Sequence, residues 1–129
     1  MKKKAKSLPK LKQECQIVFN AYIRKRDQGK PCISCGRIRP LQAGHYWAVK
    51  ICDGLRFDED NVHGECSGCN CFDACHLIPY TENLKAKIGD KRYNELKERA
   101  SDYRKYGYRW SRSEIIELID YYKQKIKEL

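Results

Sequence analysis

Two short cysteine pairs carry the clearest chemical message in this sequence. Cys32-x-x-Cys35 and Cys66-x-x-Cys69 flank a thirty-residue stretch. Tetrahedral zinc takes four thiolate or imidazole ligands, and a tight knuckle lets two cysteines converge from one turn. Two knuckles therefore predict a closed four-cysteine site, structural because no position stays open for water. Zn2+ there would tie together the chain before and after the stretch, adding stability that a small core does not supply.

The sequence has eight cysteines in all. Met1 to Lys6 is basic, but Ser7 to Gln13 lacks the apolar run of a signal peptide. That predicts a cytoplasmic protein, in which short-spaced thiols signal metal rather than disulfides. Cys15 lies on an apolar helical stripe and reads as core. Cys71 and Cys75, one helical turn apart, can bind metal with His76, but ordinary buried thiols are the simpler reading. Cys52 carries no signal.

Between the knuckles lies Ala43-Gly44-His45-Tyr46, followed by Asp60-Asn61, and Asn70 comes directly after the second knuckle. The order CxxC, Gly-His, Asp-Asn, CxxC-Asn resembles the zinc-containing branch of the HNH (ββα-metal) nucleases. More closely, the chain resembles the phage recombination endonuclease family called NinG or Rap. The matching stretches include Ala21-Tyr-Ile-Arg-Lys-Arg-Asp27, Pro31-Cys-Ile-Ser-Cys-Gly36, Ala43-Gly-His-Tyr46 and Leu55-Arg-Phe57. They continue through Asn61-Val-His63, Cys66 to Asn70, Leu77-Ile-Pro-Tyr80 and Arg109-Trp-Ser111 to the last helix.

The resemblance implies roles for three residues. His45 matches the histidine that acts as general base on the attacking water. Asn61 matches the asparagine that braces the loop carrying that histidine. Asn70 matches the final His or Asn position, a ligand of the catalytic metal. Phosphodiester cleavage asks for such groups: a base near neutral pKa, which imidazole supplies, and a cation to neutralise charge on the phosphate. An amide oxygen is a suitable hard ligand for Mg2+ or Mn2+. Many HNH enzymes carry Asp or His just before the base, where this chain has Gly44. Asp58, Asp60, Asp73 and His76 remain open as the rest of the metal shell. His63 reads as packing or as a partner of the zinc site.

Partners follow from charge. The net charge is +10, from 27 Lys and Arg against 17 Asp and Glu, an electrostatic footprint for nucleic acid. Lys30, Arg37 and Arg39, beside the first knuckle, are candidate phosphate contacts, with a solvated face as the alternative. No apolar run approaches the roughly 18 residues needed to cross a bilayer, so no membrane partner is expected.

The elements that must position these residues fall in three zones of a single domain, 1–129. Zone 1–30 is a basic N-terminal helix, with apolar positions at Leu11, Cys15, Val18, Phe19, Tyr22 and Ile23 and a stop at Asp27-Gln-Gly29. Zone 31–80 holds the cysteine pairs, with strand segments expected between Leu41 and Ile51, a turn at Asp53-Gly54, and a helix from near Cys66–Asn70 through His76. Zone 81–129 is helical: Thr81 to Ile88 ending at Gly89, Asp90 to Tyr106 ending at Gly107, and a last helix opened by Ser111-Arg-Ser-Glu114. Its apolar stripe, Ile115, Leu118, Ile119, Tyr122 and Ile126, suits either core or a homodimer interface.

The expected fold is thus α+β: a zinc-stapled ββα-metal core with flanking N- and C-terminal helices. The expected function is a metal-dependent DNA endonuclease of a phage or prophage. Branched or recombination-intermediate DNA as substrate is implied by the resemblance alone. A zinc-stabilised DNA-binding module without catalysis is the alternative, and a zinc-ribbon protein adaptor the third reading.

Overall fold

Ser7 opens the first helix, accepting the Lys10 backbone N–H on its hydroxyl at 3.4 Å. The helix, α1, runs Leu8–Arg26 and buries Leu11, Cys15, Phe19, Tyr22 and Ile23 along one face. The computed structural model describes residues 5–129; the start of the lysine-rich segment, residues 1–4, lies outside them. At the other end of the chain, α4 (Arg112–Glu128) begins with the expected capping box between Ser111 and Glu114. Its buried Ile115, Ile119 and Tyr122 pack on α1, with Phe19 and Tyr122 edge-to-face at 4.9 Å between ring centroids. The apolar stripe of the last helix is therefore core.

Between these helices the chain forms one antiparallel hairpin, β1 (Leu41–His45) and β2 (Val62–Cys66), in the register Leu41↔Cys66 to His45↔Val62. β2 is buried along its whole length, because α1 covers one face and Tyr80 and His76 lie against His63 and Glu65 on the other. Nothing in Val-His-Gly-Glu-Cys alternates as a strand should, so β2 was not foreshadowed by the sequence pattern. Its buried polar groups find partners instead of water. Arg26 lies 3.3 Å from His63 Nδ1, and His63 Nε2 lies 2.9 Å from the Asp60 carbonyl. Guanidinium only donates, so Nδ1 accepts and Nε2–H donates, which defines a neutral tautomer. Buried Asp27 accepts from the Gly64 backbone N–H at 2.8 Å and from Arg26 at 2.9 Å, pinning the end of α1 to the strand.

The helix expected through Cys71–His76 is absent. A single wide π turn, Gly68–Phe72, is followed by a turn at Asp73, whose carboxylate accepts the Cys75 N–H at 2.9 Å. Asp73, in extended backbone at φ −96° and ψ 105°, ends the turn before a helix can continue through it. α2 starts later than that helix and earlier than Thr81, spanning Leu77–Ile88. Gly89 alone separates it from α3 (Asp90–Tyr106), at φ 86°, a conformation that glycine adopts without strain. α2 and α3 bury Tyr80, Leu84, Ile88, Tyr93, Leu96 and Ala100 in a second core with Ile33, Cys52 and Leu55. The result is a mixed α+β fold: among the described residues, a two-stranded sheet and four α-helices. No helix among them is long and apolar enough to cross a membrane.

Candidate metal centre and active site

The first knuckle is closed by backbone hydrogen bonds: Cys32 N–H to the Arg37 carbonyl and Gly36 N–H to the Cys32 carbonyl, both 2.9 Å. Cys66 ends β2 and Cys69 sits in the wide turn, so the second pair meets the first across the hairpin. All four sulfurs lie within 4.8 Å of one another. Cys35 and Cys66 are 3.8 Å apart, which matches the edge of about 3.8 Å expected for thiolates around a zinc ion. Backbone N–H groups of Cys35 and Cys66 approach Cys32 Sγ at 3.5 and 3.3 Å. The Cys69 backbone N–H lowers the Cys66 thiol, while burial raises Cys32 and Cys69, so a cation among the four would be needed to hold them all as thiolates. Four cysteines thus form a site that can hold zinc, and the donor set and spacing fit it.

The other cysteines stay out of this cluster. Cys15 is buried against Phe19 in the α1–α4 core, where burial pushes its thiol up to about 12. Cys52 is buried in the second core, while Cys71 and Cys75 are exposed.

His45 is the last residue of β1. Its Nε2 lies 3.0 Å from the Arg56 carbonyl oxygen, which can only accept, so Nε2 carries the hydrogen and Nδ1 is the basic nitrogen. Burial holds this imidazole below its ordinary value. It lines a cavity of about 210 Å³ with Tyr46, Trp47, Ala48, Ile51, His76 and Leu77.

Asn61 is fully buried directly beneath the segment that follows His45. Its Oδ1 accepts the Trp47 N–H at 2.8 Å, and Nδ2 donates to the Trp47 and Leu55 carbonyls, both at 3.1 Å. Its own carbonyl accepts the Tyr46 N–H at 2.8 Å. The amide is therefore an internal brace joining the chain after β1 to the chain before β2.

Asn70 does not line the His45 cavity; its Nδ2 donates to Gln42 Oε1 at 2.8 Å, near the start of β1. Of the other carboxylates and imidazoles considered as ligands, Asp58 and Asp60 pair with Arg99 and Arg92 of α3. Asp73 closes its turn, and His76 is the one that shares the cavity with His45.

Glu65, which no motif marks, is fully buried on β2. Its Oε2 accepts from Ser34 Oγ, inside the first knuckle, and lies 2.6 Å from His76 Nδ1. A glutamate in a short polar run carries no pattern that could have marked it. Gly44, the unexpected neighbour of His45, now has a reason: a Cβ there would meet Glu65 Cβ at 2.7 Å and the carboxylate oxygen Oε1.

Of the basic candidates, Arg37 and Arg39 are exposed, and Lys30 lies 3.7 Å from Asp27. Arg39 also joins Arg24 and Lys25, at the end of α1, around an open groove of about 360 Å³. The α1 contribution to this basic face was missed because only the tertiary fold brings it to Arg39.

A two-stranded sheet between two helical layers, closed at one end by four convergent thiols, defines a small α+β protein with a cysteine centre able to take zinc. The chain belongs to the NinG family, since residues 1–129 match the family model described as Bacteriophage Lambda NinG protein. It is 40% identical over 119 residues to Protein ninG of Salmonella phage P22, covering 91% of this chain and 56% of that protein. Identity to Protein ninG of Escherichia phage lambda is 38% over 119 residues, with 91% and 56% covered. The chain thus spans a little over half the length of the curated relatives it matches. No solved structure matches it.

Proposed function

We propose that the chain is a metal-dependent DNA endonuclease of the HNH, or ββα-metal, type, in which His45 activates water for phosphodiester hydrolysis. The observation that carries this reading is the setting of His45. Its Nε2–H is committed to the Arg56 carbonyl at 3.0 Å, its Nδ1 is the nitrogen able to take a proton, and the ring opens on a cavity. An imidazole that burial keeps neutral is ready to accept a proton from water near neutral pH.

Supporting features surround it. The Asn61 brace holds the backbone beyond His45, as a positioning residue would. The order β1, β2, α2 around the cysteine centre suits a ββα core, with the wide turn taking up the zinc knuckle. Mg2+ or Mn2+, when bound, would neutralise charge on the phosphate and the leaving oxygen. Asn70 is a candidate ligand for it by motif position. The +10 charge and the groove lined by Arg24, Lys25 and Arg39 favour DNA as the partner, with Lys30, Arg37 and Arg39 as phosphate contacts. Branched or recombination-intermediate DNA is the proposed substrate, on the family resemblance. Because the α4 stripe is used in the core, a homodimer would have to form through another face.

A cleavage assay on plasmid and four-way-junction DNA with Mg2+ or Mn2+ tests the reading. Wild type should cut, and His45→Ala should lose about a hundredfold or more while keeping zinc and DNA binding. Tight DNA binding by a wild type that cuts no substrate would instead establish the zinc-stabilised binding module.

A further inference from the structure

Among the described residues, the buried side-chain polar atoms without a hydrogen-bond partner are Glu65 Oε1 and Trp47 Nε1. Both belong to the surroundings of His45. Trp47 lines its cavity, and Glu65 Oε1 occupies the space over Gly44, one residue before His45 in the chain. A carboxylate oxygen removed from water and left unpaired costs several times what a made hydrogen bond returns. No Lys or Arg among the described residues forms an ion pair with Glu65; its one charged-type neighbour is His76.

We propose that Glu65 and His76 form a divalent-cation site, separate from the four-cysteine centre, that takes Mn2+ or Mg2+. Three features of the geometry support it. Glu65 Oε2 and His76 Nδ1 are 2.6 Å apart, a hydrogen bond that a shared cation would replace by opening the pair to about 3 Å, the separation of adjacent ligands on a small octahedral ion. Small hard cations of this kind are held by one or two protein groups and keep several waters, so two ligands suffice. His76 also faces the 210 Å³ cavity, which leaves room for those waters and for a phosphate oxygen next to His45.

The fold supplies the carboxylate on purpose-shaped ground. Ser34 of the first knuckle donates to Glu65 Oε2, so the cysteine centre fixes the side chain that carries the second site. The glycine before His45 leaves the space in which that carboxylate lies. A cation held through both carboxylate oxygens would satisfy Oε1, which the His76 contact at Oε2 leaves unpaired. The role of this cation in cleavage rests on the nuclease reading; its binding does not.

The test is Mn2+ titration of the protein carrying one zinc, followed by the electron paramagnetic resonance signal of free Mn2+. Wild type should bind one Mn2+, and Glu65→Gln and His76→Ala should each weaken binding at least tenfold with zinc content and circular dichroism unchanged. Failure of wild type to bind Mn2+, or binding that neither substitution changes, would overturn the site. Because Glu65 is fully buried, its substitution can unfold the chain; His76, 18% exposed at its side chain, then decides alone. Binding that depends on both residues in a protein that cuts no DNA leaves this site standing and removes the nuclease. Cleavage that needs His45, with Mn2+ binding indifferent to Glu65 and His76, does the reverse.

Discussion

Asn61 grips the backbone of Trp47 at both ends, accepting its N–H at 2.8 Å and donating to its carbonyl at 3.1 Å. A third bond, to the Leu55 carbonyl, makes this one fully buried amide the junction of two loop segments. Asn61→Ala strips the partners from three buried backbone groups at once. The expected loss is about 2–4 kcal/mol in urea unfolding of the zinc-loaded protein. On the nuclease reading it also lowers cleavage while leaving DNA binding near wild type, because the loop after His45 loosens.

Zinc is the second prediction. Cys32, Cys66 and Cys69 form a small buried cluster with exposed Cys35 beside them, and the four sulfurs join the knuckle to the end of the hairpin. One zinc per chain is expected, with four sulfurs at about 2.3 Å in its X-ray absorption spectrum. Chelation should abolish the cooperative unfolding transition, since the binding energy of such a site is folding energy. Cys71→Ser with Cys75→Ser should leave zinc content unchanged, while Cys35→Ser should reduce it.

The third prediction concerns pH. Burial, with Lys87 and Arg26 nearby, lowers the His63 imidazole to about 3. The unfolded chain takes up a proton on this ring near the ordinary value of about 6.5, and the folded chain does not until far lower pH. Across that window the unfolded state holds more protons, so stability falls as pH falls. His63→Gln removes this proton uptake. Relative to this variant, wild type should lose up to about 1.4 kcal/mol for each pH unit below 6.5, and nothing extra above pH 7.5. Parallel urea titrations at several pH values measure the difference, and any effect of acid on the cysteine centre is common to both proteins.

Where the sequence spoke plainly, it did so through local rules. The Ser111 cap, the stops at Gly89 and Gly107, and the apolar faces of α1 and α4 are each decided within a few residues. The cysteine quartet was legible because metal ligation demands both residue type and spacing. β2 was not, since its stability comes from helices packed on both faces and from partners as distant as Asp27 and Ser34. The pairing of Glu65 with His76 was hidden for the same reason: ten residues lie between them, and they meet across the wide turn that stands where a helix was expected. Asn70, expected at a metal from its motif position, donates to Gln42, and His76 lines the cavity with His45.

Gly44 offers the sharpest test of the hairpin itself. Its φ is not positive, so the need for glycine is one of space rather than of backbone freedom. An alanine Cβ would stand 2.7 Å from Glu65 Cβ, an atom fixed to the neighbouring strand. The Gly44 carbonyl is meanwhile held by the Tyr80 hydroxyl at 2.7 Å, which resists any outward shift of β1. Gly44→Ala should therefore cost about 1–3 kcal/mol in urea unfolding. Shortening the opposing side chain should not repair it, because Glu65→Ala keeps the offending Cβ; the double variant is expected to stay well below wild type. Restoration of wild-type stability in that double variant would assign the clash to the carboxylate alone and place the strands farther apart. An unchanged midpoint for Gly44→Ala would show that β1 moves away from Glu65 without cost, against the constraint set by Tyr80.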